Sequence, residues 1–278
     1  MTITVSLAPA SYNPAKYVQT TLLGVSSGLD LGLSSPYQFA AAGATLDVGV
    51  TARVLSNGTP LSGRSVGFTI QTGSGSLSST LVTSNATGYA STTLHVANIQ
   101  SEVRVIACVE PGDAPCQIFY LGVVPDSSLR LQPVSGISQA AFAGGALQPV
   151  QVRATDDAAV PNPVRGVNVR FDALLCRPQT QSPGNGDPVM PVILSSWETT
   201  VISDANGLAS VQPSTGRMSG TTELLGEARA GASSVPYSVQ SFEAPGGNDI
   251  LSSGPAVLKR LPKVPVIPRH SPIRAPRE

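Results

Sequence analysis

The chain has 278 residues, roughly two domains at about 100 to 200 residues each, so it can bury a core without disulfide or metal staples. Charged residues make up 12 % against about 25 % in an average soluble domain, whereas Gly (27) and Pro (24) are abundant. Helix surfaces need Lys, Glu and i, i+4 pairs, and Lys16, Lys259 and Lys263 are the only lysines, which excludes long exposed helices and predicts an all-β chain.

The formal net charge of zero hides an asymmetry. Residues 1–258 hold 11 Lys+Arg against 16 Asp+Glu, a balance of −5, and the last twenty carry +5. Prolines at 262, 265, 268, 272 and 276 punctuate that end, so residues 245–278 read as a basic Pro-rich tail, disordered and outside the folded part. Its three-residue proline spacing also suits polyproline II, as a ligand for an aromatic groove or an arm for acidic polymer. No run approaches 18 apolar residues, so no integral membrane helix is expected. The N-terminus shows no basic region followed by an apolar run, so no secretory signal is visible.

Residues 1–35 form an N-terminal segment in which Ile3-Thr-Val-Ser-Leu7 reads as a strand and Ala8-Pro-Ala-Ser-Tyr-Asn-Pro14 as a turn. It is either the opening strand of a first domain or the remnant of a preceding unit. One pattern then occurs twice. The first copy holds Val48-Gly-Val-Thr-Ala-Arg-Val, Pro60-Leu-Ser-Gly63, Val66-Gly-Phe-Thr-Ile70 and Ser84-Asn-Ala-Thr-Gly88-Tyr-Ala90. The second holds Pro149-Val-Gln-Val-Arg-Ala-Thr, Pro163-Val-Arg-Gly166, Val167-Asn-Val-Arg-Phe171 and Ser203-Asp-Ala-Asn-Gly207-Leu-Ala209. Gly63 to Gly166 is an offset of 103 and Gly88 to Gly207 one of 119, so the second copy carries 16 extra residues, near 177–191. The runs alternate apolar and polar residues, the period of a half-buried strand, and Asn57-Gly58 and Asn206-Gly207 supply turns. Short strands at this spacing favour antiparallel sandwiches over βαβ units.

These two copies resemble the bacterial immunoglobulin-like domains of the invasin and intimin type, over residues 36–124 and 126–244. The resemblance implies two tandem immunoglobulin-like antiparallel β-sandwiches, joined near Pro125, in an extracellular or bacterial cell-surface protein. It implies an adhesive or structural stalk without catalysis. The domains so read are 36–124 and 125–244, the second with its insertion near 177–191.

Cys108 and Cys116 bracket a Pro111-Gly112-Asp113 turn between two β-rich runs. They either join across a hairpin, implying an oxidising compartment, or remain two reduced, buried thiols. Cys176 is left over, buried or free.

Loops on a rigid sandwich carry recognition. The insertion residues Arg177, Gln179, Gln181, Asn185 and Asp187 are therefore the candidate partner-binding loop, the partner being an unknown host or cell-surface protein or glycan. Trp197 lies in a strand-like run where a large ring fills a core more readily than it stacks on a glycan, the alternative role. Asp204-Ala-Asn206-Gly207 resembles the start of a calcium loop but lacks the further oxygen ligands, and Asx turn chemistry explains it. Asp156-Asp157 reads as a solvated turn. His95 reads as a strand residue; neither it nor His270 accompanies a nucleophile elbow, and the Cys and His spacings fit no zinc site. Gly73-Ser-Gly-Ser lacks the Lys and helix of a phosphate loop. No cofactor and no metal are expected. An acidic folded part without basic residues interleaved with aromatics disfavours nucleic acid. The alternative to a stalk is a glycan-binding accessory module of a surface polysaccharide-active protein.

Overall fold

A computed structural model describes residues 28–111, 115–178, 191–215 and 221–243. The Pro-rich tail, together with Gln179, Gln181, Asn185 and Asp187, lies outside the described residues. The alternating runs become strands. The first half contains β1 (Leu29–Ser34), β2 (Tyr37–Ala41), β3 (Leu46–Ser56), β4 (Thr59–Pro60) and β5 (Ser65–Thr72). It continues with β6 (Ser76–Leu77), β7 (Leu81–Thr83), β8 (Tyr89–Val96), β9 (Val103–Val109) and β10 (Cys116–Val124). A 3-10 turn at Asp126–Ser128 leads to β11 (Arg130–Ser135), β12 (Ser138–Phe142), β13 (Val150–Thr155), β14 (Val164–Arg165) and β15 (Asn168–Arg177). The last four are β16 (Val192–Ile202), β17 (Leu208–Val211), β18 (Thr222–Ala230) and β19 (Ser233–Phe242).

Each half is built from two sheets in the same order. The first pairs β1-β3-β8-β6, with β4 on β3, and β2-β10-β9-β5-β7; the second pairs β11-β13-β17 and β12-β19-β18-β15-β16. In both halves the second strand leaves the sheet of the first and runs parallel to the last, β2 on β10 and β12 on β19. Two antiparallel sheets closed in this way form an immunoglobulin-like sandwich. Leu29–Ser34 pairs with β3 throughout its length and so belongs to the first sandwich.

The inner faces follow from the alternation. Val48, Val50, Ala52 and Val54 of β3 are buried against Phe68 and Phe119, and Val150, Val152 and Ala154 of β13 lie in the same core cluster as Phe171 and Leu224. Each of these phenylalanines contributes about 2 to 3 kcal/mol by leaving water.

The repeated Ser-Asx-x-x-Gly motif is a hydrogen-bonded clip. Ser84 is buried; its hydroxyl donates to the Leu61 carbonyl (2.8 Å) and accepts from the Arg64 N–H (3.0 Å). Ser203 does the same with the Val164 carbonyl and the Val167 N–H, both at 2.9 Å. Asn85 Oδ1 accepts from the N–H groups of Thr87 and Tyr89, and Asp204 Oδ1 from those of Asn206 and Leu208. The Asp204 carboxylate thus caps its own turn, and no group of three or more candidate metal ligands exists among the described residues.

The second sandwich touches the first through its clip. β14 adds a parallel strand to the edge of β2, Val164 opposite Phe39 and Arg165 opposite Ala40. The Arg165 guanidinium donates to Gln38 Oε1 (2.8 Å) and to the Asp47 carbonyl (3.1 Å). Gly166, at φ +73°, approaches so closely that a Cβ would stand 2.8 Å from that of Ala44. Phe39, Ala41, Ala44 and Val164 are all buried.

Candidate functional site

The register of the second sandwich sorts its loops into two ends. The clip at Val164–Gly166 and Ser203–Gly207 lies at the end facing the first sandwich, and β15 runs from there outward. Arg177 closes β15 and Val192 opens β16 opposite it, so both residues lie at the far end. β12, β17 and β19 finish at the same end, because β12 and β19 run parallel and β17 runs antiparallel to the inbound β13. Arg177 is exposed there.

One concavity lies at this end and a second on the face of the sheet. The smaller, about 350 Å³, lies between the Gly144–Leu147 turn and Gln212–Thr215. Gln212 Nε2 bonds the Leu147 carbonyl across it (3.0 Å), and Thr215 is buried at its base. The larger, about 530 Å³, is an open groove on the outer face of the β18-β15-β16 sheet. Its charges form a ladder: Arg170 bonds Asp172 (2.8 Å) and Glu198 (2.7 Å), and Arg229 bonds Glu227 (2.5 Å). Bonds from Ser234 and Arg229 hold the Glu227 carboxyl below its ordinary pKa. Exposed Leu174 and neighbouring Leu225 complete the groove.

Trp197 is half-buried. It pairs with buried Ala173 and packs against the core from the edge strand β16, while Ser196 and Glu198 take the solvent side. Cys176 is a free, buried thiol, its pKa raised by burial and secondarily by Glu223. His95 bonds Asp47 across β8 and β3 at 2.5 Å on an exposed face. The solvated reading of Asp156-Asp157 is corrected: Asp156 is 1 % exposed, and its carboxylate accepts from Asn162 N–H (2.8 Å) and Asn162 Nδ2 (2.7 Å). Alternation sends Asp157 outward toward Arg130 (3.7 Å), so the two carboxylates do not converge on a reacting atom.

Cys108 and Cys116 form a disulfide between directly paired positions of β9 and β10. Closing a loop of sequence separation 8 stabilises by about 2.5 kcal/mol on the chain-entropy account. A urea melt in reductant is therefore expected to show that loss, and an unmoved midpoint would assign the bond no stabilising role.

The Tyr237 phenol, 3 % exposed, donates to the Asp172 carbonyl at 3.0 Å. Burial first, and the Asp172 charge second, raise its pKa above the ordinary value of about 10. The folded protein keeps this proton where the unfolded chain releases it, so the stability is complete below about pH 10 and falls as pH rises beyond it. Urea midpoints from pH 8 to 11 are expected to fall more steeply for the native chain than for Tyr237→Phe.

No protein-family model matches the chain, and no curated protein does. Among solved structures it is similar to the D0-D1 domain of intimin, at 21 % identity over 77 % of this chain and 97 % of that one, with a TM-score of 0.31. It is similar to the Yersinia pseudotuberculosis adhesin InvE at 19 % identity, covering 77 % of this chain and 60 % of that one, TM-score 0.30. For invasin, a bacterial integrin-binding protein, the values are 20 %, 77 %, 39 % and 0.27. At such TM-scores the assignment rests on strand pairing: the chain is two tandem immunoglobulin-like β-sandwiches, and it is similar to the domains of intimin and invasin.

Proposed function

We propose that this protein is a non-catalytic bacterial surface or secreted module, two domains that divide near Pro125 with β1 opening the first, that serves as an adhesive or structural stalk. The observation that carries this reading is the joint. β14 completes a sheet of the other sandwich, which suits an element that holds its far end at a set distance. Recognition then falls to that far end, where Arg177 and the insertion behind it meet a host or cell-surface protein or glycan. The disulfide suits an oxidising, extracellular setting.

The test is adhesion. Cells are retained on a surface coated with the native chain, and deletion of 178–189 is expected to abolish retention while moving the unfolding free energy by no more than about 0.5 kcal/mol. Retention that survives the deletion removes the insertion from the binding site. Loss of cooperative unfolding would make the insertion structural.

A second reading, a glycan-binding accessory module, draws on the groove that Leu174, Leu225 and the charge ladder line. A glycan array on the native chain tests it. Binding lost in a folded Leu174→Asp variant supports it, and a blank array counts against it.

A further inference from the structure

The repeat gives each surface of the joint an equivalent elsewhere in the chain. On the acceptor side, Ala42 N–H bonds the Val124 carbonyl and Ala44 N–H bonds that of Ala41. Ala143 and Gly145 make the same two bonds, to Phe242 and Phe142. Ala42-Gly43-Ala44-Thr45-Leu46 therefore corresponds to Ala143-Gly144-Gly145-Ala146-Leu147, and Phe39, Ala40 and Ala41 of β2 to Ala140, Ala141 and Phe142 of β12. On the donor side, the clip bonds equate Val164-Arg165-Gly166 with Leu61-Ser62-Gly63.

The exposure of these pairs is inverted. Where the sandwiches meet, the acceptor residues Phe39, Ala41 and Ala44 are 7 %, 5 % and 9 % exposed. Their counterparts are bare: Phe142 is 57 % exposed, Ala140 and Gly145 are exposed, and the Gly144–Leu147 turn borders the 350 Å³ concavity. The edge of β12 away from β19 pairs with no strand among the described residues, whereas the matching edge of β2 holds β14. The donor shows the same contrast. Val164 is fully buried and Gly166 abuts Ala44, while Ser62 and Gly63 are exposed and a Cβ on Gly63 would meet nothing within 4 Å.

We propose that the far end of the second sandwich takes the Leu61–Gly63 corner of a second copy of this chain, head to tail, by the pairing that β14 makes with β2. The occupant follows from the joint, which shows a Pro-x-x-Gly corner seated on this acceptor, and the first sandwich carries the unused corner. Donor and acceptor occupy opposite ends of different sandwiches, so the contact is heterologous and propagates as an open linear array instead of closing on a dimer. The acceptor lies on the β12 edge of its sheet and β16, which Val192 opens, on the opposite edge, so the inference is independent of the adhesive reading.

The intermolecular contact lacks the tether that concentrates the partners at the joint and is correspondingly weaker, which calls for covalent trapping. Arg165 and Ala40 are register partners, so Ser62 and Ala141 are expected to be register partners between copies. Full-length chains carrying Ser62→Cys and Ala141→Cys, mixed under mild oxidation, should form the mixed disulfide at least about tenfold faster than Ser62→Cys mixed with Leu81→Cys, whose position is exposed but unrelated, because bridging requires Cα atoms within about 7 Å. Both variants alter surface positions, and their urea midpoints check folding. A Ser62/Ala141 rate equal to that of the control overturns the proposal, as does a sedimentation coefficient of the native chain that stays constant with concentration. Neither readout involves a cell or a glycan, so failure here leaves the adhesion assay to stand or fall alone.

Discussion

Gly226→Ala is expected to destabilise the second sandwich by about 3 kcal/mol, the upper range for overpacking a filled core. Gly226 of β18 stands opposite Tyr237 of β19, and beyond it on β18's other side lies Ala173 of β15. The Tyr237 ring crosses the strand at Gly226 to bring its hydroxyl to the Asp172 carbonyl. A Cβ at 226 would meet that ring at 2.2 and 2.4 Å and the same carbonyl at 2.6 Å. The corresponding rung of the first sandwich has Val105 opposite Phe119, which has no hydroxyl to deliver to a third strand. The glycine is therefore the space through which Tyr237 reaches its acceptor. Tyr237→Leu removes the ring, so Gly226→Ala in that background should cost at least about 1 kcal/mol less than in the native chain, the non-additivity of residues in contact. Urea melts of the two single variants and the double variant decide it; strict additivity would mean that the methyl group displaces backbone instead.

What the sequence made legible was local. The clips could be read because an Asx side chain caps amides two and four residues on, and Ser84 and Ser203 sit in the same frame in both copies. The short turn between Cys108 and Cys116 placed both on one hairpin but left a disulfide and two buried thiols open, and the register of β9 with β10 brings them face to face. Asp156 escaped because its partner is Asn162, across a loop with no periodicity, so a solvent-facing turn and a buried loop anchor look alike in sequence. The joint escaped for a different reason. Arg165 meets Gln38 and Asp47 across more than a hundred residues, and nothing in Pro163-Val-Arg-Gly166 distinguishes a corner that seats on a neighbour from the unused one at Pro60-Leu-Ser-Gly63. The insertion was visible by its length, but length alone says nothing about which side chains a partner would meet.

Gly207→Ala is expected to cost about 3 kcal/mol, and it separates backbone strain from contact. Gly207 has φ +72°, and a Cβ there would stand 2.3 Å from the Ala154 carbonyl oxygen and 3.2 Å from the Val164 nitrogen. The left-handed conformation accounts for about 1 to 2 kcal/mol with any L side chain; the carbonyl contact adds the rest, since backbone on both sides is held by sheet pairing. Gly58 is the control for the first term, at φ +79° with nothing within 4 Å of its Cβ position, so Gly58→Ala should cost only about 1 to 2 kcal/mol. Gly88 is the repeat counterpart, 2.6 Å from the Val54 carbonyl oxygen, and Gly88→Ala should resemble Gly207→Ala in the first sandwich. The two clips nevertheless differ in what they support. Relief of the contact at Gly207 pushes on Val164, the residue that pairs with Phe39, so Gly207→Ala should also raise amide exchange along β2 of the other sandwich. The clip at Gly88 leads to a corner that seats on nothing among the described residues, and Gly88→Ala should leave exchange in the second sandwich unchanged. Equal effects across the joint from both substitutions would show that the sandwiches unfold as one unit and that β14 is not the coupling element.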